Sequence, residues 1–211
     1  TASHEAGHAV VAHFLPHADP IHKVSIISRG RAAGYTLKLP SEDRKLQSRA
    51  EFIDDIAVMV AGHVIEKEIF GDVTTGASND LKQVTSLARK LVTNYGMAET
   101  LPPRTFGNHE ELIFLGREIS EQRDYSEKVA EAIDGEIATF IRNGLKTAQR
   151  IIVTKRAYIE KVVKELLEKE TIERDVFEKL CGKKKIVPMY EKPAPEKPQK
   201  APEKTPPTLS S

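Results

Sequence analysis

Apolar residues along this chain recur mostly at helical spacing, with one short region of β-type alternation. Residues 1–15 carry Val10, Val11 and Phe14 and stop at Pro16, which predicts a first helix. Lys23–Ile27 and Tyr35–Leu39 are β-branched or alternating and are joined through Arg29-Gly30 and Gly34, which predicts a hairpin. Residues 48–70 place Phe52, Ile53, Ile56, Val60, Val64 and Ile65 at helical intervals, so a single helix is expected there, ended by Gly71. Ser78 reads as the N-cap of a helix through Asn94, with Leu81, Val84, Leu87, Ala88 and Leu91 on one face. A long helix is expected from Tyr125 to about Val153, followed by shorter ones at Arg156–Glu168 and Glu173–Cys181. The fold class expected is mainly α, with a small β-hairpin or sheet near the first helix.

Composition changes this picture only at the end of the chain. Residues 183–211 hold seven of the twelve prolines, with seven lysines against three glutamates, a local +4 that leaves −3 for residues 1–182. Such Lys-Pro-Glu repetition cannot pack a core, so the expected organisation is a folded unit over 1–182 and a solvated tail over 183–211. The near-zero net charge of +1 argues against a broad nucleic-acid surface. A lone Cys181 excludes an internal disulfide and a cysteine-based zinc knuckle. No run approaches the roughly 18 apolar residues of a membrane helix, so a soluble piece is expected. The chain opens without Met directly on a motif, as an excised piece of a longer protein would.

That motif is His4-Glu5-Ala6-Gly7-His8. Two histidines four apart stack on one helix face, so both imidazoles can reach one metal, and Glu5 can reach a water beside it as general base. This is the arrangement by which zinc peptidases activate water. A catalytic site also needs a third protein ligand and an open fourth position. An extended H-E-x-x-H-x-x-G-x-x-H layout is excluded, because Val11 and Phe14 stand where Gly and His would be needed. His13 lies nine residues after His4 and is expected on the opposite, solvent-facing side. His17, His22, His63 and His109 are isolated and read as ordinary histidines. The candidates left are Glu66, on a helix where flanking Lys67 and Glu68 suggest a solvated face, and Asp80, in a polar small-residue loop running into a helix. Spacing alone does not choose between them.

The order of further motifs is specific. Ser25-Ile26-Ile27-Ser28-Arg29-Gly30, Gly34-Tyr35-Thr36-Leu37, Phe70-Gly71, Thr75-Gly76-Ala77-Ser78-Asn79-Asp80-Leu81 and Gly96-Met97 follow the zinc motif in turn. Phe114-Leu115-Gly116, Tyr125-Ser126-Glu127 and Glu170-Thr171-Ile172 complete the series. Together they resemble the peptidase domain of the FtsH-type ATP-dependent zinc metalloproteases over residues 1 to about 182. The resemblance implies His4, His8 and Asp80 as zinc ligands, Glu5 as catalytic base, and Glu66 as a group orienting a ligand histidine or as the losing candidate for third ligand. Departures at Ser28, Ala61-Gly62-His63 and Pro102 touch no ligand.

The same resemblance implies a membrane-anchored homo-hexamer in the full protein, with its peptidase domain on the cytoplasmic side of a bacterial inner membrane or the organelle equivalent. It further implies an AAA ATPase module in cis and unfolded or membrane-protein substrates. No G-x-x-x-x-G-K-[ST] phosphate loop occurs in this chain, so ATP would be needed only by that absent module. The expected activity is zinc endopeptidase. Its rival is a non-catalytic ring-assembly module, disfavoured because His4, Glu5, His8 and Asp80 are all present.

Overall fold

The computed structural model describes residues 1–28, 34–39, 46–107 and 124–184. It is mainly α, with a three-stranded antiparallel sheet, as the periodicity predicts. The zinc-motif helix, α1 (Ala2–Phe14), sits in the middle of the domain, and every residue from Glu5 to His13 is buried. A helix apolar or covered on all sides belongs inside, and α1 is enclosed by the elements that follow. β1 (Ile21–Ser25) and β2 (Tyr35–Lys38) pair antiparallel, with Ser25 opposite Tyr35 and Val24 opposite Thr36. The hairpin therefore forms, starting two residues earlier than its pattern suggests; its turn lies outside the described residues.

The single helix expected over 48–70 is two. α2 (Arg49–Met59) begins at a capping box in which Ser48 and Glu51 satisfy each other's backbone. It breaks at Val60, whose ψ of −6° departs from helical geometry, and α3 (Ala61–Phe70) continues to Gly71. The Val60 N–H still reaches Ile56 O and the Val64 N–H still reaches Val60 O, so the rod is bent and not severed. α2 packs mainly on the long α5 (Glu127–Thr154), and α3 also meets α5 and lies along α1. Gly7 permits that approach, since a Cβ there would stand 2.9 Å from Ile65 Cγ2.

A 3₁₀ turn (Thr75–Ala77) leads into α4 (Ser78–Thr93). Ser78 is the first helical residue and Ala77 occupies the cap position without a side-chain bond, which corrects the expected N-cap. The capping side chain sits upstream, where Thr74 Oγ1 accepts from the Gly76 N–H. After α5 come α6 (Arg156–Lys169), β3 (Thr171–Glu173) and α7 (Arg174–Cys181). β3 was not legible: three residues give no periodicity, and its partner β1 lies far back in the chain. The sheet order is β2-β1-β3, so β2 is an outer strand among the described residues.

Val10, Val11, Ile56, Ile65, Leu91, Ile133, Ile159, Leu166, Ile172 and Phe177 are almost fully buried and form one core across all layers. Two expectations about exposure fail against it. His13 is buried, not solvent-facing, because α7 covers that side of α1 and puts the Phe177 ring 5.5 Å from the imidazole. Lys184, placed by composition in the tail, reaches back so that its Nζ donates to the carbonyls of Ala12, His13 and Leu15 within 3.3 Å. It caps the C-terminus of α1, where a cation is favoured by the helix dipole. The rest of the expected tail, 185–211, lies outside the described residues.

Candidate metal centre

The helical i, i+4 relationship sets His4 and His8 side by side, their ring centroids 4.7 Å apart and their Nε2 atoms 3.1 Å apart. His8 Nδ1 lies 2.7 Å from the Val58 carbonyl. A carbonyl only accepts, so Nδ1 carries the proton and Nε2 turns its lone pair to the site. Val58 comes from the last turn of α2, and the bend after it allows that carbonyl to face α1.

Asp80, in the first turn of α4, brings Oδ2 to 3.2 Å from His4 Nε2 and 3.4 Å from His8 Nε2. Glu66 approaches His4 from the other side, with Oε1 3.2 Å from Nδ1. Its second oxygen accepts from the Thr74 N–H at 2.9 Å and the Thr74 hydroxyl at 3.0 Å. The two candidate carboxylates thus face opposite nitrogens of one imidazole. Glu66 is buried, against the solvated face its charged neighbours suggest, because α3 lies along α1. His17, His22 and His63 join no such cluster, and His109 lies outside the described residues.

One ligand atom each from His4, His8 and Asp80 lies within 4.8 Å of the others, and among the described residues no other cluster does this. Donors about 2.0–2.1 Å from a tetrahedral zinc stand roughly 3.3 Å apart. The observed separations of 3.1, 3.2 and 3.4 Å fit that spacing. Two neutral nitrogens and one carboxylate are also a donor set that zinc accepts. Glu66 is not a member, and its place on Nδ1 suits a group that fixes the tautomer of His4.

The electrostatics agree. Burial opposes ionisation of Asp80, but the adjoining His4 and His8 rings, which attract the carboxylate whenever they take up a proton, outweigh it and hold the carboxyl below its ordinary range. Burial likewise opposes protonation of His4, yet its hydrogen bond to Asp80 and the nearby Glu5 charge raise its pKa overall. Burial opposes ionisation of Glu66 as well, but the Thr74 and His4 bonds exceed it, so its pKa is lowered.

The cluster opens on a cleft of about 650 Å³ lined by His4, Glu5, Gly34, Glu66, Thr74 and Asp80. Several of the residues that hold the site carried no signal in the sequence. Val58 acts through its carbonyl, which any residue supplies, Thr74 through hydrogen bonds to Glu66 that the tertiary fold brings about, and Gly62 through its close approach to His4. Thr36 stood within a quoted motif, but nothing in the motif tied it to Glu5.

A family model described as Peptidase family M41 matches residues 1–180. The chain belongs to that family. Among its relatives, an ATP-dependent zinc metalloprotease FtsH 1 from Sphaerobacter thermophilus is 51% identical over 180 residues, 85% of this chain and 28% of the relative. One of the same description from Thermomicrobium roseum is 50% identical over the same share. An ATP-dependent zinc metalloprotease FtsH from Thermotoga maritima is 45% identical over 182 residues, 86% of this chain and 30% of the relative. The chain thus spans under a third of the length of these curated relatives. M41 membership makes it a member of a zinc metalloprotease family and implies Zn²⁺ as its metal. Among the described residues, no helix is long and apolar enough to cross a membrane.

Proposed function

We propose that this chain is the endopeptidase part of an ATP-dependent protease, with His4, His8 and Asp80 as zinc ligands, Glu5 as general base and Glu66 orienting His4. The observation that carries it is the tetrahedral spacing of three donor atoms beside a cleft that Glu5 also lines. Zinc, when bound, supplies Lewis acidity that polarises a scissile carbonyl and makes water nucleophilic at neutral pH. Glu5 takes the water's proton and hands it to the leaving amine. His8, held through Nδ1 by Val58, and His4, held through Nδ1 by Glu66, keep their Nε2 atoms convergent. β2, an outer strand, takes an extended peptide by main-chain hydrogen bonds, which reads backbone more than side chains.

The proposal extends to the whole protein. Residues 1–182 form the peptidase domain, followed by a Lys/Pro/Glu-rich tail. The full protein is a membrane-anchored homo-hexamer facing the cytoplasmic side, or the organelle equivalent, whose AAA module in cis spends ATP to deliver unfolded or membrane-protein substrates. The names of the relatives support its ATP dependence and its zinc, and the family membership supports the peptidase.

The test is a gel time course on an unstructured protein and a tightly folded one, with and without ATP. Slow cleavage of the unstructured substrate alone is expected, unchanged by ATP, stopped by a chelator and restored by zinc. Efficient digestion of the folded substrate, or acceleration by ATP, would overturn it for this chain.

A further inference from the structure

We infer that Thr36 is a positioning residue that holds the Glu5 carboxylate from the outer strand β2. The inference rests on Glu5 being the base. Glu5 is buried in the first turn of α1, with 7% of its surface exposed. Among the described residues, one hydrogen-bond donor reaches its carboxylate: the Thr36 hydroxyl, 2.8 Å from Oε2. The same hydroxyl lies 3.3 Å from the Glu5 main-chain oxygen, a second and more distant acceptor for its one proton.

The other carboxylate oxygen is placed by a missing side chain. A Cβ on Gly34 would stand 2.9 Å from Glu5 Oε1, 2.9 Å from Cγ and 2.8 Å from the Ser25 carbonyl. Gly34 and Thr36 are two apart in extended chain, so they address the same face of the strand. That face is turned to α1. Thr36 therefore grips one oxygen while Gly34 leaves room for the other, in the cleft that His4 and Asp80 also line. The strand itself is anchored: Thr36 pairs with Val24, and Lys38 Nζ meets Asp55 Oδ1 of α2 at 2.6 Å.

A glutamate side chain freed of such a grip regains rotamer freedom, and small misplacements of a reacting group cost rate steeply. The edge proposed to receive the substrate backbone is also the strand that sets the base. The loss should thus fall on turnover and leave metal binding alone, because among the described residues the Thr36 hydroxyl bonds to Glu5 and to no member of the ligand cluster.

Thr36→Val is close to isosteric and keeps the β-branched shape, whereas Thr36→Ser keeps the hydroxyl. The full zinc-loaded chain would be compared as wild type, both variants and Glu5→Gln, on a flexible fluorogenic peptide. Zinc content, melting temperature and crystal structures would be taken alongside. Thr36→Val is expected to lower kcat by about tenfold or more, within the cost of misplacing a reacting group. KM, zinc content and melting temperature should stay near wild type, and Thr36→Ser should recover most of the turnover. Glu5 should keep its position in the crystal structure of Thr36→Ser and leave it in that of Thr36→Val. Wild-type turnover or an unmoved Glu5 in Thr36→Val would overturn the inference. So would equal loss in both variants, or loss that follows zinc or stability. If Glu5→Gln turns over like wild type, the reading of Glu5 as base falls; if Glu5→Gln is inactive while Thr36→Val is fully active, only the role of Thr36 falls.

Discussion

Gly62 lies against the ring of His4 so closely that a Cβ there would stand 2.3 Å from Cε1 and 2.6 Å from Nε2. The ring cannot yield cheaply, being held by Glu66 on one nitrogen and facing Asp80 and His8 with the other. Gly62→Ala should favour helix α3 by up to about 1 kcal/mol in propensity and lose about 1–3 kcal/mol to overpacking. The functional result should be larger, with zinc affinity falling by at least about tenfold as His4 is displaced. Metal analysis after dialysis against a mild chelator reads it, and wild-type retention would show that the ring has another place to go.

Glu5→Gln keeps shape and removes the proton acceptor. Hydrolysis should fall by about a hundredfold or more, in the range of a general-base contribution. Zinc content should match wild type, because Glu5 is outside the ligand cluster. Assay and metal analysis on one preparation check both halves.

Asp80 and Glu66 meet opposite nitrogens of His4, so their removal should differ in kind. Asp80→Asn should lose zinc and activity together. Glu66→Gln should weaken zinc by about 10–100-fold, as loss of a group behind a ligand does, and regain activity when excess zinc is supplied. The reverse ranking would exchange their roles.

Acidity should release the metal early. Zinc needs His4 neutral, and the raised His4 pKa makes the proton a stronger competitor than at a free imidazole. Apparent zinc affinity, read by chelator competition across pH, should therefore begin to fall above the ordinary value of 6.5. In chelator-treated protein the signs are separate. His4, raised, contributes stability that is full below 6.5 and lost as pH rises through its folded pKa. Asp80, lowered, contributes stability that is full above 3.8 and lost as pH falls through its folded pKa. The advantage of wild type over Asp80→Asn in melting temperature should thus be greatest between pH 3.8 and 6.5. An advantage that grows above pH 7 would contradict the pairing.

Lys184 holds the carbonyls of Ala12, His13 and Leu15 at the end of the zinc-motif helix, although burial pushes its amine down to about 8. Lys184→Met should lower stability by about 1.5–3 kcal/mol, the range of hydrogen bonds to a charged group. Truncation after Lys184 should leave the melting temperature unchanged, whereas truncation after Gly182 should lower it by several degrees. Equal melting of the two truncations would remove Lys184 from the fold.

The parts of this protein readable from its residue order are those with short-range causes. An i, i+4 pair of histidines stacks on any α-helix, so a metal-binding pair with an adjacent carboxylate was legible before any tertiary contact was known. Apolar periodicity likewise located the outer bounds of the helical stretches to within a residue or two, though not the division at Val60, and Gly71, in the left-handed conformation at φ 72°, marked the end of α3. The other features depend on long-range packing. Glu66 and Asp80 reach His4 from 62 and 76 residues away, and which nitrogen each meets follows from the bend at Val60 and the approach of α3 at Gly7. The burial of His13 required α7, β3 required β1 as a partner, and the grip of Thr36 on Glu5 required a strand to pass the first turn of α1. No local propensity encodes these, because each is a contact between faces whose orientation exists only once the core has closed.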